Sequence, residues 1–153
     1  MKILTIDIGG TNVKILASGE KEPRKFPSGP TMTPAKMVSG VQEIAHDWKY
    51  NRISIGYPGL IHKGNIVLEP HNLAPTWKGF DFEAAFKCPV KLVNDAAMQA
   101  LGSYKDGILL FLGLGTGLGS ALVVEGNLVP LEVAHLPYKN GTYEDHVGLR
   151  GLE

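Results

Sequence analysis

The sequence predicts an α/β protein with a mixed sheet, built as one whole lobe followed by the first strands of a second, similar lobe. Strand-like apolar runs and helix-period segments alternate through residues 2–104. A strand, a glycine turn and a second strand open the chain as "LTIDIGGTNVKIL", and "ILLFLGLGTGLGSALVV" repeats that pattern from Ile108 to Val124. Laid so that Ile6, Ile8 and Gly9 fall on Leu112, Leu114 and Gly115, the two stretches agree, with a threonine close behind in each. The lobes are expected at residues 1–106 and 107–153. Too few residues follow Gly107 for a full α/β lobe, so the second is expected to be only begun.

Each element has its own signal. Lys2–Ile8 and Val13–Ala17 read as strands joined by the Gly-Gly-Thr-Asn turn. Residues 20–34 are rich in Pro, Gly, Ser and Lys, hence a loop. Thr33-Pro34 supplies an N-cap and an N1 proline. Met37, Val38, Val41, Ile44, Ala45 and Trp48 then recur at helical spacing, which predicts a helix over 34–48, with Gly40 a weakness in it. Arg52–Tyr57 is a strand ending at Pro58-Gly59, and 60–68 a hairpin turning at Lys63-Gly64-Asn65. The loop "EPHNLAPTWKGFDF" leads into a short helix at 81–87. Val90–Val93 is a strand, and a helix over Asp95–Tyr104 follows it directly.

Bulk composition excludes several function classes. The 153 residues are 44% hydrophobic and 20% charged, values of a globular rather than a disordered chain. Fifteen basic residues balance fifteen acidic ones, so no long-range field points to nucleic acid or an anionic membrane, and neither is expected as a partner. The single Cys88 excludes an internal disulfide framework and a multi-cysteine zinc site. No apolar run approaches the roughly 20 residues of a membrane span, and a cytoplasmic location is expected. Any anion site must be local, and the 19 glycines gather where strands end.

Both glycine loops have the composition that cradles phosphate, because no side chains block the oxygens and consecutive N–H groups can converge on an anion. Neither is a Walker A loop, and neither enters a helix as a dinucleotide loop does. Each alone can also be a plain hairpin; as a facing pair they favour phosphate. Asp7 ends an apolar strand beside the first loop. It either caps the Gly9–Thr11 amides or holds Mg²⁺ next to a phosphate chain, a task that needs only one or two carboxylates. Asn94-Asp95 stands where a strand gives way to a helix, the usual ligand position in open α/β sheets. One of the two can simply be an N-cap; alternatively Asp95 is a general base for a substrate hydroxyl and Asn94 bonds a neighbouring hydroxyl. Glu132 and His135 would share a face on a helix, or both reach a polyol from a loop. They lack partners for a metal site. Trp48, Tyr57 and Trp77 read as core or loop anchors, and on residue type alone Lys14, Arg24 and Lys25 are solvated charges.

"DIGGTNVK", "PHNLAPTWKGFDF", "VNDAAMQALG", "LFLGLGTGLGSALV" and "EVAHLPY" occur in the order found in the ROK group of repressors, open reading frames and sugar kinases. The chain resembles that group across essentially its whole length, most of all the bacterial glucokinases that use polyphosphate, ATP or both. The resemblance implies an actin-like (ribonuclease H-like) ATPase lobe. It implies that Gly9, Gly10, Thr11, Asn12 and Lys14, with Gly115, Thr116 and Gly117, attend the phosphates, and that Asp7 sits near Mg²⁺. Asp95 would activate the sugar's 6-hydroxyl. Asn72, Asn94, Glu132 and His135 would bind other glucose hydroxyls, with Glu144 a further contact. The implied partners are glucose or a related hexose and a second chain, most simply in a homodimer, and the implied pathway is glycolysis.

Three departures from the family pattern stand out. Ala134 replaces the glycine of E-x-G-H, which is mild where the backbone avoids positive φ. The cysteine cluster that builds a structural zinc site in many relatives is absent, so no structural zinc is expected. Family members also continue well beyond this length. The chain is therefore expected to be a fragment, a truncated product or half of a split protein, impaired as an enzyme on its own. A non-enzymatic sugar-binding module is the alternative. A ROK-type repressor is disfavoured, because the first strand starts at residue 2 with no helix-turn-helix before it.

Overall fold

The computed structural model describes residues 1–115, 117–129 and 131–151. They fall into two compact units, Met1–Asp95 and Ala96–Glu153.

The first unit is built on a five-stranded mixed sheet in the order β3-β2-β1-β4-β7. Its strands are β1 (Ile3–Ile8), β2 (Asn12–Ala17), β3 (Arg24–Pro27), β4 (Arg52–Tyr57) and β7 (Val90–Asn94). β1, β4 and β7 run parallel, while β2 is antiparallel to both β1 and β3. Alternation along β1 buries Leu4, Ile6 and Ile8 on one face, where Val13 and Ile15 of β2 and Ile53 and Ile55 of β4 join them. Helix α1 (Pro34–Ile44) closes that face with Met37, Val38 and Val41. Thr33 caps it by accepting the Lys36 N–H, with Pro34 in its first turn, as its sequence predicts. A small hairpin, β5 (Ile61–His62) and β6 (Asn65–Ile66), turns through Lys63 and Gly64, both at positive φ. Helix α2 (Phe82–Phe86), capped by Asp81, follows it.

The second unit carries most of helix α3 (Asp95–Ser103) and a three-stranded antiparallel sheet in the order β10-β9-β8. β8 (Ile108–Leu114) and β9 (Leu118–Val124) are the repeated hairpin, paired from Ile108↔Val124 to Leu114↔Leu118. Ala100 of α3 packs with Ala121 and Val123, and Leu109 and Phe111 join them from β8. After a loop come the two-residue strands β11 (Pro137–Tyr138) and β12 (Gly141–Thr142), helix α4 (Tyr143–Val147) and a 3₁₀ turn at Leu149–Gly151.

Some elements differ from expectation. Residues 20–34 are not all loop, because β3 adds an edge strand to β2. Its residues lack an apolar pattern, and its support is tertiary. The Arg24 guanidinium lies 4.2 Å over the Trp48 ring and is ion-paired to Asp47, so Arg24 is not a solvated charge. Helix α1 stops at Ile44 rather than at residue 48. The Ala45 N–H still reaches the Val41 carbonyl, and the following turn carries Trp48 into the core. β10 (Asn127–Val129) was not foreseen. It is set by a turn at Glu125-Gly126, both at positive φ.

Candidate active site

The carboxyl ends of β1, β4 and β7 lie side by side, and three separate stretches of sequence meet there. Asp7 of β1, Gly56 of β4 and Val93 of β7 share one rung of the sheet. Asn94 is one step further, level with Tyr57, and Asp95 opens α3 directly after it. With strands about 4.8 Å apart, roughly 10 Å separates the Asp7 and Val93 backbones, the width of a small ligand. Every strand in this row points its C-terminus at the same edge, which is where open α/β sheets bind ligands.

Asp7 is half-buried. Burial pushes its carboxyl above the ordinary carboxylate value, and the charge of Lys14, its antiparallel partner on β2, pulls part of the way back. The following turn is closed by its own backbone, with the Gly9 N–H donating to the Asn12 carbonyl at 3.0 Å. Among the described residues no hydrogen bond from the Gly9–Thr11 amides reaches Asp7, so capping is not what holds this acid here. A side chain would crowd the turn at both glycines, most of all at Gly9. A Cβ on Gly9 would lie 2.9 Å from the Asn12 carbonyl oxygen, and one on Gly10 would lie 3.2 Å from the Asn72 Cβ. The result is a bare backbone beside a carboxylate that water only partly reaches. That arrangement suits a divalent cation with one protein oxygen and a phosphate chain. Among the described residues no group of three His, Cys, Asp or Glu side chains could hold a metal by itself.

Asn72 reaches the Gly10 turn from a long loop that the structure holds in several ways. Glu69 accepts the Trp77 N–H at 2.9 Å and the Lys78 N–H at 3.1 Å. Trp77 is fully buried, its ring 5.8 Å from that of Tyr57 and 6.4 Å from that of Phe82. The Tyr57 hydroxyl donates to the Leu68 carbonyl at 2.9 Å. The anchoring roles expected of Trp48, Tyr57 and Trp77 hold; the part played by Glu69 was not foreseen. Asn72 itself stays exposed, and the half-buried Asn94 donates its Nδ2 to the Gly59 carbonyl at 3.2 Å. Thr11 and Lys14 are exposed beside the turn and Asn12 is half-buried.

The second unit holds the remaining candidates. Thr116 lies outside the described residues. Gly115 donates its N–H to the Gly117 carbonyl at 3.0 Å and accepts the Leu149 N–H at 3.0 Å. Glu132 and His135 sit on a loop, not a helix, and both are exposed. The Ala134 N–H donates to Glu132 Oε1 at 3.2 Å, and Ala134 itself is buried. Glu144 is half-buried in the first turn of α4, with Oε2 accepting the Leu118 N–H at 3.0 Å.

Comparison with known proteins places the sequence and the fold. The model of the ROK family matches residues 3–130. The bifunctional enzyme NanE/NanK of Brucella melitensis is 30% identical over 142 residues, covering 83% of this chain and 27% of its own. A polyphosphate glucokinase of Mycobacterium leprae is 26% identical over 151 residues, covering 86% of this chain and 46% of its own. The chain thus spans about half or less of the length of these relatives. Among solved structures, the inorganic polyphosphate/ATP-glucomannokinase of Arthrobacter sp. strain KM superposes with a TM-score of 0.80 at 25% identity, over 98% of this chain and 69% of that one. A ROK family glucokinase of Streptomyces griseus, in complex with glucose and AMPPNP, gives 0.77 at 21% identity, over 99% and 59%. The second likeness speaks for the fold alone, and with the first it bears out the actin-like α/β class. From residue 3 to residue 130, in sequence and in fold, this chain belongs to the ROK family.

Proposed function

We propose that the chain is the ligand-binding core of a sugar kinase that transfers a phosphoryl group from polyphosphate or ATP to the 6-hydroxyl of glucose. The observation that carries the reading is the meeting of Asp7, the Gly9-Gly10 turn, Asn72 and Asn94-Asp95 at the carboxyl ends of β1, β4 and β7. Family membership supports sugar phosphorylation in general. The names of the Mycobacterium and Arthrobacter proteins support glucose and polyphosphate in particular. We further propose that residues 1–106 act as one lobe and 107–153 as the start of a second.

Catalysis in this reading is positioning and charge placement. Asp95 accepts the proton of the 6-hydroxyl as its oxygen attacks the terminal phosphorus. The new O–P bond forms as the bridging P–O bond breaks, and its electron pair leaves on the donor's oxygen. The amides of Gly9, Gly10 and Thr11 meet the donor's oxygens, with Asn12 and Lys14 alongside. Gly115, Thr116 and Gly117 are assigned to the phosphates as well. Asn72, Asn94, Glu132 and His135 bind the other sugar hydroxyls. Asp7 would hold Mg²⁺, which would neutralise part of the phosphate charge when bound.

The exposed face of β8 supports association with a second copy. Ile108, Leu110, Leu112 and Leu114 are 73%, 54%, 52% and 69% exposed on one face of an edge strand that lacks charge and proline. Antiparallel pairing of two such edges is self-complementary about a two-fold axis.

The test mixes the protein with glucose, Mg²⁺ and either ATP or polyphosphate and measures glucose 6-phosphate. Product from one donor supports the kinase reading and identifies that donor. Glucose binding without product supports the sugar-binding module. Absence of both product and binding excludes both readings.

A further inference from the structure

On one face of the first unit's sheet, Lys25, Lys14 and Asp7 stand in a row across β3, β2 and β1. Lys25 lies directly opposite Lys14, and Lys14 directly opposite Asp7. Side chains paired in this way project from the same face. It is the face away from α1, because the alternate residues Val13, Ile15 and Phe26 pack into or against the core. Both lysines are exposed. The row starts at Asp7, beside the Gly9-Gly10 turn, and runs outward to the sheet edge.

Like charges directly opposite on antiparallel strands destabilise the pair. The charge of Lys14 is felt by the Asp7 carboxyl; among the described residues Lys25 makes no hydrogen bond or ion pair. The acids nearest to it in sequence, Glu20 and Glu22, precede β3, beyond the end remote from the glycine turn. Between the row and the turn this face carries only Asn12 and Pro27, neither of them charged. Elsewhere on the face the strands add Arg52 and Lys91, and Asp7 is the one acid among its strand residues. The register that sets Lys25 on Lys14 is held at both ends of β3. Arg24 is ion-paired to Asp47, and the Ser28 N–H donates to the Thr11 carbonyl at 2.9 Å. With strands about 4.8 Å apart, roughly 10 Å separates the Asp7 and Lys25 backbones, so a ligand that spans the row reaches well past the glycine turn.

We propose that the Lys14–Lys25 pair is an outer phosphate subsite, which takes the units of a linear inorganic polyphosphate that extend past the glycine turn. The proposal rests on the reading that Asp7 and that turn meet the reacting end of the donor. A linear polyanion suits the row because it carries charge on every unit and bridges two cations that otherwise repel. Lysine suits it too, as a point charge on a flexible stem that needs no fixed anion orientation. A nucleoside triphosphate has a ribose and a base where polyphosphate continues its charge. Lys25 therefore favours the longer inorganic chain.

Titration calorimetry with Mg²⁺ compares tripolyphosphate and long-chain polyphosphate on the wild type, Lys25→Gln and Lys91→Gln. A long chain offers any site more registers, so the quantity compared is the ratio of the two affinities in each protein. Lys25→Gln should weaken the long chain about three- to fivefold, the worth of one exposed ion pair, and leave tripolyphosphate within about twofold. The log–log salt dependence of long-chain binding should flatten by about one. Lys91→Gln, on the same face but off the row, should keep the wild-type ratio. The Tm of Lys25→Gln should equal or exceed that of the wild type, because a like-charge pair is relieved. An unchanged ratio in Lys25→Gln overturns the subsite, as does an equal loss in Lys91→Gln. A single-stranded oligonucleotide that binds the wild type as tightly as long-chain polyphosphate also overturns it, as the mark of a general polyanion patch. Wild-type protein that binds neither phosphate chain overturns the functional reading and the subsite together, whereas tripolyphosphate binding with an unchanged ratio overturns the subsite alone.

Discussion

At Asp7 the sheet keeps a carboxylate partly out of water, facing the single positive charge of Lys14 across the β1–β2 pair. Its folded pKa lies above the unfolded one, so between the two the folded state holds more protons. Stability therefore falls as pH rises through that window and stays lower above it. Asp7→Asn should remove this dependence. We expect its Tm at pH 7 to equal or exceed that of the wild type, the difference shrinking below about pH 4. Thermal melts across pH check this, and a markedly lower Tm at pH 7 would contradict it. The same variant should lose Mg²⁺-dependent binding of tripolyphosphate, read by titration calorimetry. Glu69 is the opposite case, an acid that holds structure. Glu69→Ala frees the Trp77 and Lys78 amides from a charged acceptor, at a cost of about 1.5–3 kcal/mol for each bond. Denaturant unfolding should show the loss, with weaker glucose binding through the Asn72 loop. Asp7 and Asn94-Asp95 were legible in the sequence because strand ends next to glycines and helix starts are local signals. Glu69 was not, because its value depends on how residues 69–78 curl back on themselves.

Among the elements, α1 and β3 show how a local weakness can be a tertiary requirement. Gly40 reads as a flaw in a helix, where Ala would gain about 1 kcal/mol of propensity. In the fold a Cβ there would lie 2.7 Å from the Phe26 ring, so the glycine lets β3 approach the helix. Gly40→Ala should therefore destabilise, by about 1–3 kcal/mol as for overpacked sites, and not stabilise. Denaturant unfolding decides the sign. The Arg24–Asp47 pair, which holds the Asp47 carboxyl down at about 2, lends stability that is present above the ordinary carboxylate range and lost as pH falls toward that value. β1, β2, β4, β7, the β8–β9 hairpin and the start of α1 could all be read from period and capping. β3 and the last turn expected of α1 could not. Both depend on Trp48, Arg24 and Phe26 finding one another across distant sequence.

On the scale of the whole molecule, the chain divides into two compact units, Met1–Asp95 and Ala96–Glu153, and each contains one of the two glycine hairpins. The proposed self-association rests on the exposed face of β8. Leu110→Lys with Leu112→Lys should shift the protein from dimer to monomer in sedimentation velocity, with thermal stability nearly unchanged since both side chains are half exposed or more. A wild type that sediments as a monomer at high concentration would contradict the self-pairing. The central claim remains the site at the carboxyl ends of β1, β4 and β7, with Asp95 as its base. Its most direct test compares wild type and Asp95→Asn for glucose affinity and for glucose 6-phosphate formation, with Mg²⁺ and the better donor. The account predicts that Asp95→Asn binds glucose within a few-fold of wild type and loses turnover by about 10²- to 10⁴-fold. Equal turnover in the two proteins would contradict it.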